Sequence, residues 1–270
     1  MFNLLRMDLY RMKRGKSVYV CLGILLVMTV FTLCMVWLMS TPQGQNTAVR
    51  LGMFTAEDMA VVAAEMTMEG VDTLVMLRQT SLDGGMHNLV FGIWVMLFVC
   101  MDYQSGFIKN VMAVHQNRWN YVLGKILTAG IVNFCYLTIQ YLFVLLMNRL
   151  LGNMAPYSAL GDVLFYLSWA WLVTTAFAAL VIMVCVWTRK VAAGALTVVI
   201  LGGGMVQGPM YALLSMIHMG DWMKYTIYHT LDLGPYRYSA PADLYVYAVG
   251  VGFLVLYAAI TGTVLKRQDI

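Results

Sequence analysis

Charge is scarce in this chain. Asp, Glu, Lys and Arg make up only 11% of its 270 residues, against roughly a quarter in an ordinary globular protein. So few charges cannot clothe a water-facing surface, and the 61% apolar content suits lipid instead. Catalytic signatures are missing too. There is no G-x-x-x-x-G-K-[ST] loop: Gly15-Lys16 and Gly124-Lys125 lack both the glycine spacing and the following Ser or Thr. The chain is therefore not expected to hydrolyse ATP. No G-x-S-x-G elbow, H-E-x-x-H pair or carboxylate–histidine cluster occurs, and an enzyme is not expected. The five cysteines, Cys21, Cys34, Cys100, Cys135 and Cys185, are odd in number, lie inside apolar runs and form no C-x-x-C, which argues against a disulfide framework or a zinc site. No acid or base sits at the centre of an apolar run, which counts against proton-coupled transport.

Long apolar runs are what the chain does have. A helix crossing the hydrocarbon core needs about 20 mainly apolar residues. Five runs meet that length: Ser17–Met39, Ile126–Met147, Val163–Trp187, Val191–Met216 and Leu244–Leu265. A sixth, His87–Met101, crosses only by borrowing its flanks. The expected spans are about 17–39, 84–103, 123–148, 163–187, 191–216 and 244–265, forming one transmembrane domain over 1–270 with an external loop at about 40–83. The first run is too long for a cleaved signal peptide, and no cleavage site follows it. With the basic cluster Arg11, Lys13, Arg14 and Lys16 held inside, six crossings leave twelve Lys and Arg inside and five outside. That asymmetry predicts an all-α polytopic membrane protein with both ends in the cytoplasm. The membrane expected is a plasma membrane.

Three segments carry further detail. Residues 1–14 place Phe2, Leu5, Leu9 and Met12 on one helical face, which fits either an interfacial helix on the inner leaflet or a plain topogenic tail. The external loop reads as turn at Thr41–Asn46, then as helix from Thr55 to Leu77 with Met59, Val62 and Met66 in a stripe, and it carries a net charge of −4. A solvated acidic face explains that charge, and a surface for a cationic ligand is the sharper alternative. Between the second and third spans, Phe107, Ile108, Val111, Met112 and His115 form one face of a helix while Lys109, Asn110, Gln116 and Asn117 form another, after a break at Ser105-Gly106. A partner's docking site and a helix resting on lipid both fit that pattern.

Inside the spans, Asn133, Tyr136 and Gln140 share one face of the third helix, as interhelical hydrogen-bonding groups or, with Gln207, as candidates for a substrate path. Gly202-Gly203-Gly204 and Gly208-Pro209 break the fifth span, which is expected to end early and continue as a partly re-entrant piece, a candidate gate or hinge.

The stretch Gly106-Phe107-Ile108-Lys109-Asn110, followed by Arg118 and by Tyr121 through Gly124-Lys125, resembles the segment between spans two and three of the ABC-2 type permease family. The layout of the whole chain is similar as well: a basic N-terminal helix, one span, a sizeable external loop, then a span leading into a cytoplasmic helix. The resemblance implies six helices per protomer and a pore shared with a second permease copy or a paralogue. It also implies a separate cytoplasmic ABC ATPase subunit that binds ATP and Mg, while this chain holds no cofactor. The inside segment becomes a coupling helix, with Asp102, Gly106, Lys109, Asn110, Arg118 and Lys125 at the matching positions. Related small permeases export, or protect against, antimicrobial peptides such as lantibiotics and bacitracin, so an amphipathic, peptide-like or drug-like cargo is expected. Membrane lipid is the other expected partner and nucleic acid is not. A non-transporting sensor or scaffold, with the acidic loop as its receptor surface, is the alternative function.

Overall fold

A computed structural model describes residues 2–55, 70–114 and 118–268, and every regular element among them is helical. The stripe Met59, Val62 and Met66 lies outside the described residues, as do His115, Gln116 and Asn117. Five helical stretches are long and apolar enough to cross a membrane, and a sixth is added if one bent pair counts as a single span.

Helix α1 (Phe2–Arg14) ends at Gly15 and is followed at once by α2 (Lys16–Ser40). The buried side chains of α2 recur at every fourth position, Cys21, Leu25, Thr29 and Leu33, so only a narrow ridge meets the rest of the protein. Tyr19, Val20, Ile24, Val27 and Phe31 stand exposed around it. Thr41 then stops one helix and starts another. Its Oγ donates to the Trp37 carbonyl at 2.7 Å and accepts the Gly44 N–H at 3.1 Å, with Pro42 in the first turn of α3 (Pro42–Arg50). The expected turn at Thr41–Asn46 is therefore helix, because Thr-Pro is an N-cap followed by a residue already set to helical φ.

The second apolar stretch runs from Thr73 to Gln104, well beyond the short run visible in the sequence. It begins as α4 (Thr73–Leu77), capped by Asp72, whose Oδ1 accepts the Leu74 and Val75 N–H groups at 3.1 and 3.0 Å. A π-helical turn at Arg78–Leu82 follows, then Gly84 and Gly85 at φ 73° and 74°, then α5 (Met86–Gln104). Two consecutive left-handed residues interrupt the helix at the point where its apolar run gives out.

Gly106, at φ 69°, turns the chain from α5 into the short α6 (Phe107–Val114). After it come α7 (Trp119–Leu150) and α8 (Leu160–Thr188). Helix α8 is the hub of the protein. In its most apolar stretch 72% is buried, against 22% for α2, and it packs on α5, on α7 and on α12 (Tyr245–Arg267). Helix α9 (Val191–Thr197) winds into a π-helical turn at Val198–Gly202 and then bends by 66° into α10 (Gln207–Met216). A seven-residue helix, α11 (Ile227–Leu233), lies between α10 and α12.

Side-chain contacts gather the connecting segments at two ends. At one end Asp8 meets Lys125, Arg118 reaches the last turn of α12, and Arg189 donates to Gln268. At the other, Thr73 bonds Ser158 and Arg237 bonds Asp72 and Asp162.

Candidate functional site

At the base of α6 lies a cluster of four charges. Asp102, at the end of α5, is fully buried and bonds the Arg11 guanidinium at 2.9 Å and the Lys125 ammonium at 2.7 Å. Lys125 is 1% exposed and also binds Asp8 at 3.0 Å, and the Tyr121 hydroxyl donates to the second Asp102 oxygen at 3.1 Å. Two carboxylates and two cations cancel, which is the condition under which charges this deep are tolerated. Aromatic faces complete the shell: Lys125 Nζ lies 3.8 Å from the Phe98 ring centre, and the Arg11 guanidinium lies 4.4 Å from that of Phe107. Burial pushes the Asp8 carboxyl up. Lys125 and Arg11 pull against that, Asp102 adds to it, and the net shift is upward.

This cluster sets the face that α1 turns inward. The apolar stripe in the sequence pointed to Leu5 and Leu9, yet Leu4 and Asp8 are the buried pair. The helix is rotated by about one residue, because Asp8 has a cation waiting on α7.

Among the residues matched to the coupling segment, the structure separates two roles. Lys109 and Asn110 are exposed on α6, opposite the buried Ile108 and Val111. Asp102 and Lys125 point inward and belong to the ionic cluster, while Gly106 makes the turn. Arg118 faces the end of α12, where its Nη1 donates to the carbonyls of Leu265, Lys266 and Gln268 at 2.6, 3.2 and 2.7 Å. A cation on the last free carbonyls of a helix caps that helix.

Asn133, Tyr136 and Gln140 are all buried and all bonded to other helices. Asn133 donates to the Trp171 carbonyl at 3.0 Å and to the hydroxyls of Thr174 and Thr175, which fixes its oxygen toward His87 Nε2 at 3.0 Å. Gln140 takes the other ring nitrogen of His87 at 2.8 Å and reaches Ser81 at 3.2 Å. The Tyr136 hydroxyl donates to the Val18 carbonyl of α2 at 2.5 Å. His87 joins α5 to α7 in this network, a role its scattered position in the sequence did not disclose.

The glycine-rich break packs against the break before α5. Gly85 and Gly202 approach so closely that a Cβ on Gly85 would run into the Gly202 carbonyl. A Cβ on Gly202 would lie 3.2 Å from Phe177, and one on Gly203 would lie 2.7 Å from the Val199 carbonyl. Gly204 carries the reversal at φ 72°. Gly208 has open space around it, and neither it nor Pro209 is buried. Gln207, first residue of α10, donates to Asp232 of α11.

The opposite end is held by Asp72. Burial raises its carboxyl, but the Val75 N–H, Arg237 and Ser158 more than reverse this, so it titrates below the usual range. Arg78, 2% exposed, bonds Asp83 at 3.1 Å and the Gly234 carbonyl at 2.8 Å and stacks on Tyr236. In the sequence Arg78 and Asp83 read only as loop charges, since nothing local distinguishes a solvated arginine from one with a carbonyl partner 156 positions away.

No protein-family model matches the chain, and no curated protein matches it. Among the described residues no three His, Cys, Asp or Glu side chains come together as a metal site.

Proposed function

We propose that this chain is the membrane-spanning permease subunit of an ATP-driven transporter, and that a cytoplasmic ATPase docks on the exposed face of α6. The observation that carries the reading is the mounting of α6. Its outer face offers Lys109 and Asn110, while at its base Asp102 of α5 is ion-paired to Arg11 of α1 and to the buried Lys125 of α7, and Arg11 lies over Phe107 of α6. A push on α6 is therefore delivered to three helices at once.

In this reading residues 1–16, 102–125, 188–190 and 266–270 lie in the cytoplasm of a bacterial cell, with α1 along the inner leaflet. The excess of Lys and Arg in these segments supports that side. ATP and Mg belong to the partner. Two permease subunits line the pore, and the cargo is amphipathic, peptide-like or drug-like, moving outward. The bend between α9 and α10 serves as the external gate, with α10 partly re-entrant.

The test is co-purification of the membrane-extracted protein with a co-expressed ABC ATPase subunit from the same genome. Lys109→Ala with Asn110→Ala is expected to reduce the recovered ATPase at least about tenfold, a loss of roughly 1.4 kcal/mol or more in binding, while the melting temperature of the permease stays unchanged. Full recovery of ATPase with the double variant would sink the docking assignment. Arg118→Ala makes a poor probe of docking, because its guanidinium caps α12 and its loss disturbs the fold.

A further inference from the structure

Between the two helix breaks lies a small, partly open cavity of about 20 Å³ of mixed lining, with Gly85, Asn88, Gly202, Tyr228 and Asp232 beside Leu82 and Leu231. That volume admits one occupant the size of a water molecule. Two of the lining residues, Asn88 and Tyr228, each carry a buried side-chain oxygen without a hydrogen-bond partner, and Asn88 as a whole is only 2% exposed. Orphaned polar atoms of this kind are rare and costly, and two in one cavity mark a place where something binds.

The charge balance indicates what that is. Arg78 is paired with Asp83, whereas Asp232 takes part in no ion pair among the described residues and has only the Gln207 amide as its partner. Asp83 feels the charge of Asp232, and counted formally these two carboxylates exceed Arg78 by one negative charge. The cavity thus offers a carboxylate, an amide oxygen and a phenol oxygen beside the backbone of two interrupted helices. Carbonyls freed where a helix unwinds are natural ligands for a hard cation. A single uncompensated charge suits a monovalent ion, because divalent calcium sites recruit several carboxylates and six to eight oxygens.

We propose that Asp232, Asn88 and Tyr228 hold one alkali cation, Na⁺ or K⁺, between the break at Gly84-Gly85 and the break at Gly202–Gly204. The ion supplies the countercharge for Asp232 and clasps α11 to both interrupted helices. This assignment stands independently of the ATPase reading, since it concerns stability and needs no partner.

The purified protein is melted in detergent in NaCl, KCl or choline chloride at one ionic strength and neutral pH. The expected result is a saturable rise in melting temperature of about 3 °C or more in Na⁺ or K⁺ over choline. Asp232→Asn abolishes the rise. Tyr228→Phe, which deletes one oxygen and no charge, moves its midpoint to about tenfold higher cation concentration. Equal melting temperatures in the three salts overturn the proposal and leave the cavity to a water molecule. A cation effect that persists undiminished in Asp232→Asn overturns it too. If Asp232→Asn does not fold, the midpoint shift in Tyr228→Phe decides, and no shift there is the overturning result.

Discussion

Lys125 shows how far a side chain's sequence context can mislead. In the chain it follows Gly124 in a segment with Lys109 and Arg118, and it reads as one more cytoplasmic cation. In the fold it is enclosed between two carboxylates and an aromatic face. Lys125→Met would strand Asp8 and Asp102 as buried, uncompensated charges, and removing one partner of such a pair costs about 3–5 kcal/mol. Lys109→Met, sixteen residues earlier in the chain and exposed, should cost within about 0.5 kcal/mol. Thermal melts of the two variants in the same detergent separate the roles. A Lys125→Met protein as stable as the parent would mean that the cluster is not intact in the membrane.

Single residues also mark the limit of what the sequence discloses. Asp8 stands in a basic segment, and only the knowledge that Lys125 lies beside it explains why the helix turns that carboxylate inward rather than the Leu5–Leu9 stripe. His87, Arg78 and Asp232 are similar cases. Each is a polar residue with at least one partner far away in the chain, and single-sequence periodicity contains no term for long-range pairing.

Whole helices were more legible. Hydropathy alone placed α2, α7, α8 and α12 within a few residues of their observed ends, because long apolar runs need no long-range information to be recognised. The stretch before α5 was less so. It carries Arg78, Asp83 and two glycines, and a hydropathy window treats buried ion pairs and left-handed turns as loop. The broken element around Gly202 was foreseeable from its glycines, but not which glycines matter. Gly202→Leu should lower the folded yield sharply, since its side chain would enter space held by Phe177 and Asn88. Gly208→Leu should leave folding unchanged, since nothing lies within 4 Å of the position its Cβ would take. Monodisperse protein after detergent extraction is the measure. A Gly202→Leu protein recovered at parental yield would show that the two breaks do not pack as described.

For the molecule as a whole, the two ends differ in chemistry. The end bearing α1, α6 and the last turn of α12 is rich in Lys and Arg, while Asp72, Asp83, Asp162 and Asp232 gather toward the other. If the first end is cytoplasmic, a cysteine at Lys109 in a cysteine-free background should resist a membrane-impermeant maleimide added to intact cells, and one at Asp221 should react. Labelling of the Lys109 position from outside would reverse the orientation and, with it, the docking side for an ATPase.

The narrow ridge on α2 bears on how the protein is made. A helix that buries little beyond Cys21, Leu25, Thr29, Leu33 and Leu38, and is otherwise clothed mostly in apolar side chains, loses little by being alone in the bilayer. It can leave the translocation machinery as a finished helix while the rest of the chain is still on the ribosome, since lipid satisfies nearly all of its surface and its backbone bonds are internal. Helix α5 has no such independence. Its buried His87 bonds Asn133 and Gln140, and its buried Asp102 bonds Lys125 and Tyr121, so its passage into lipid waits on the synthesis of α7. The order of assembly is thus written in how much of each helix the finished protein covers.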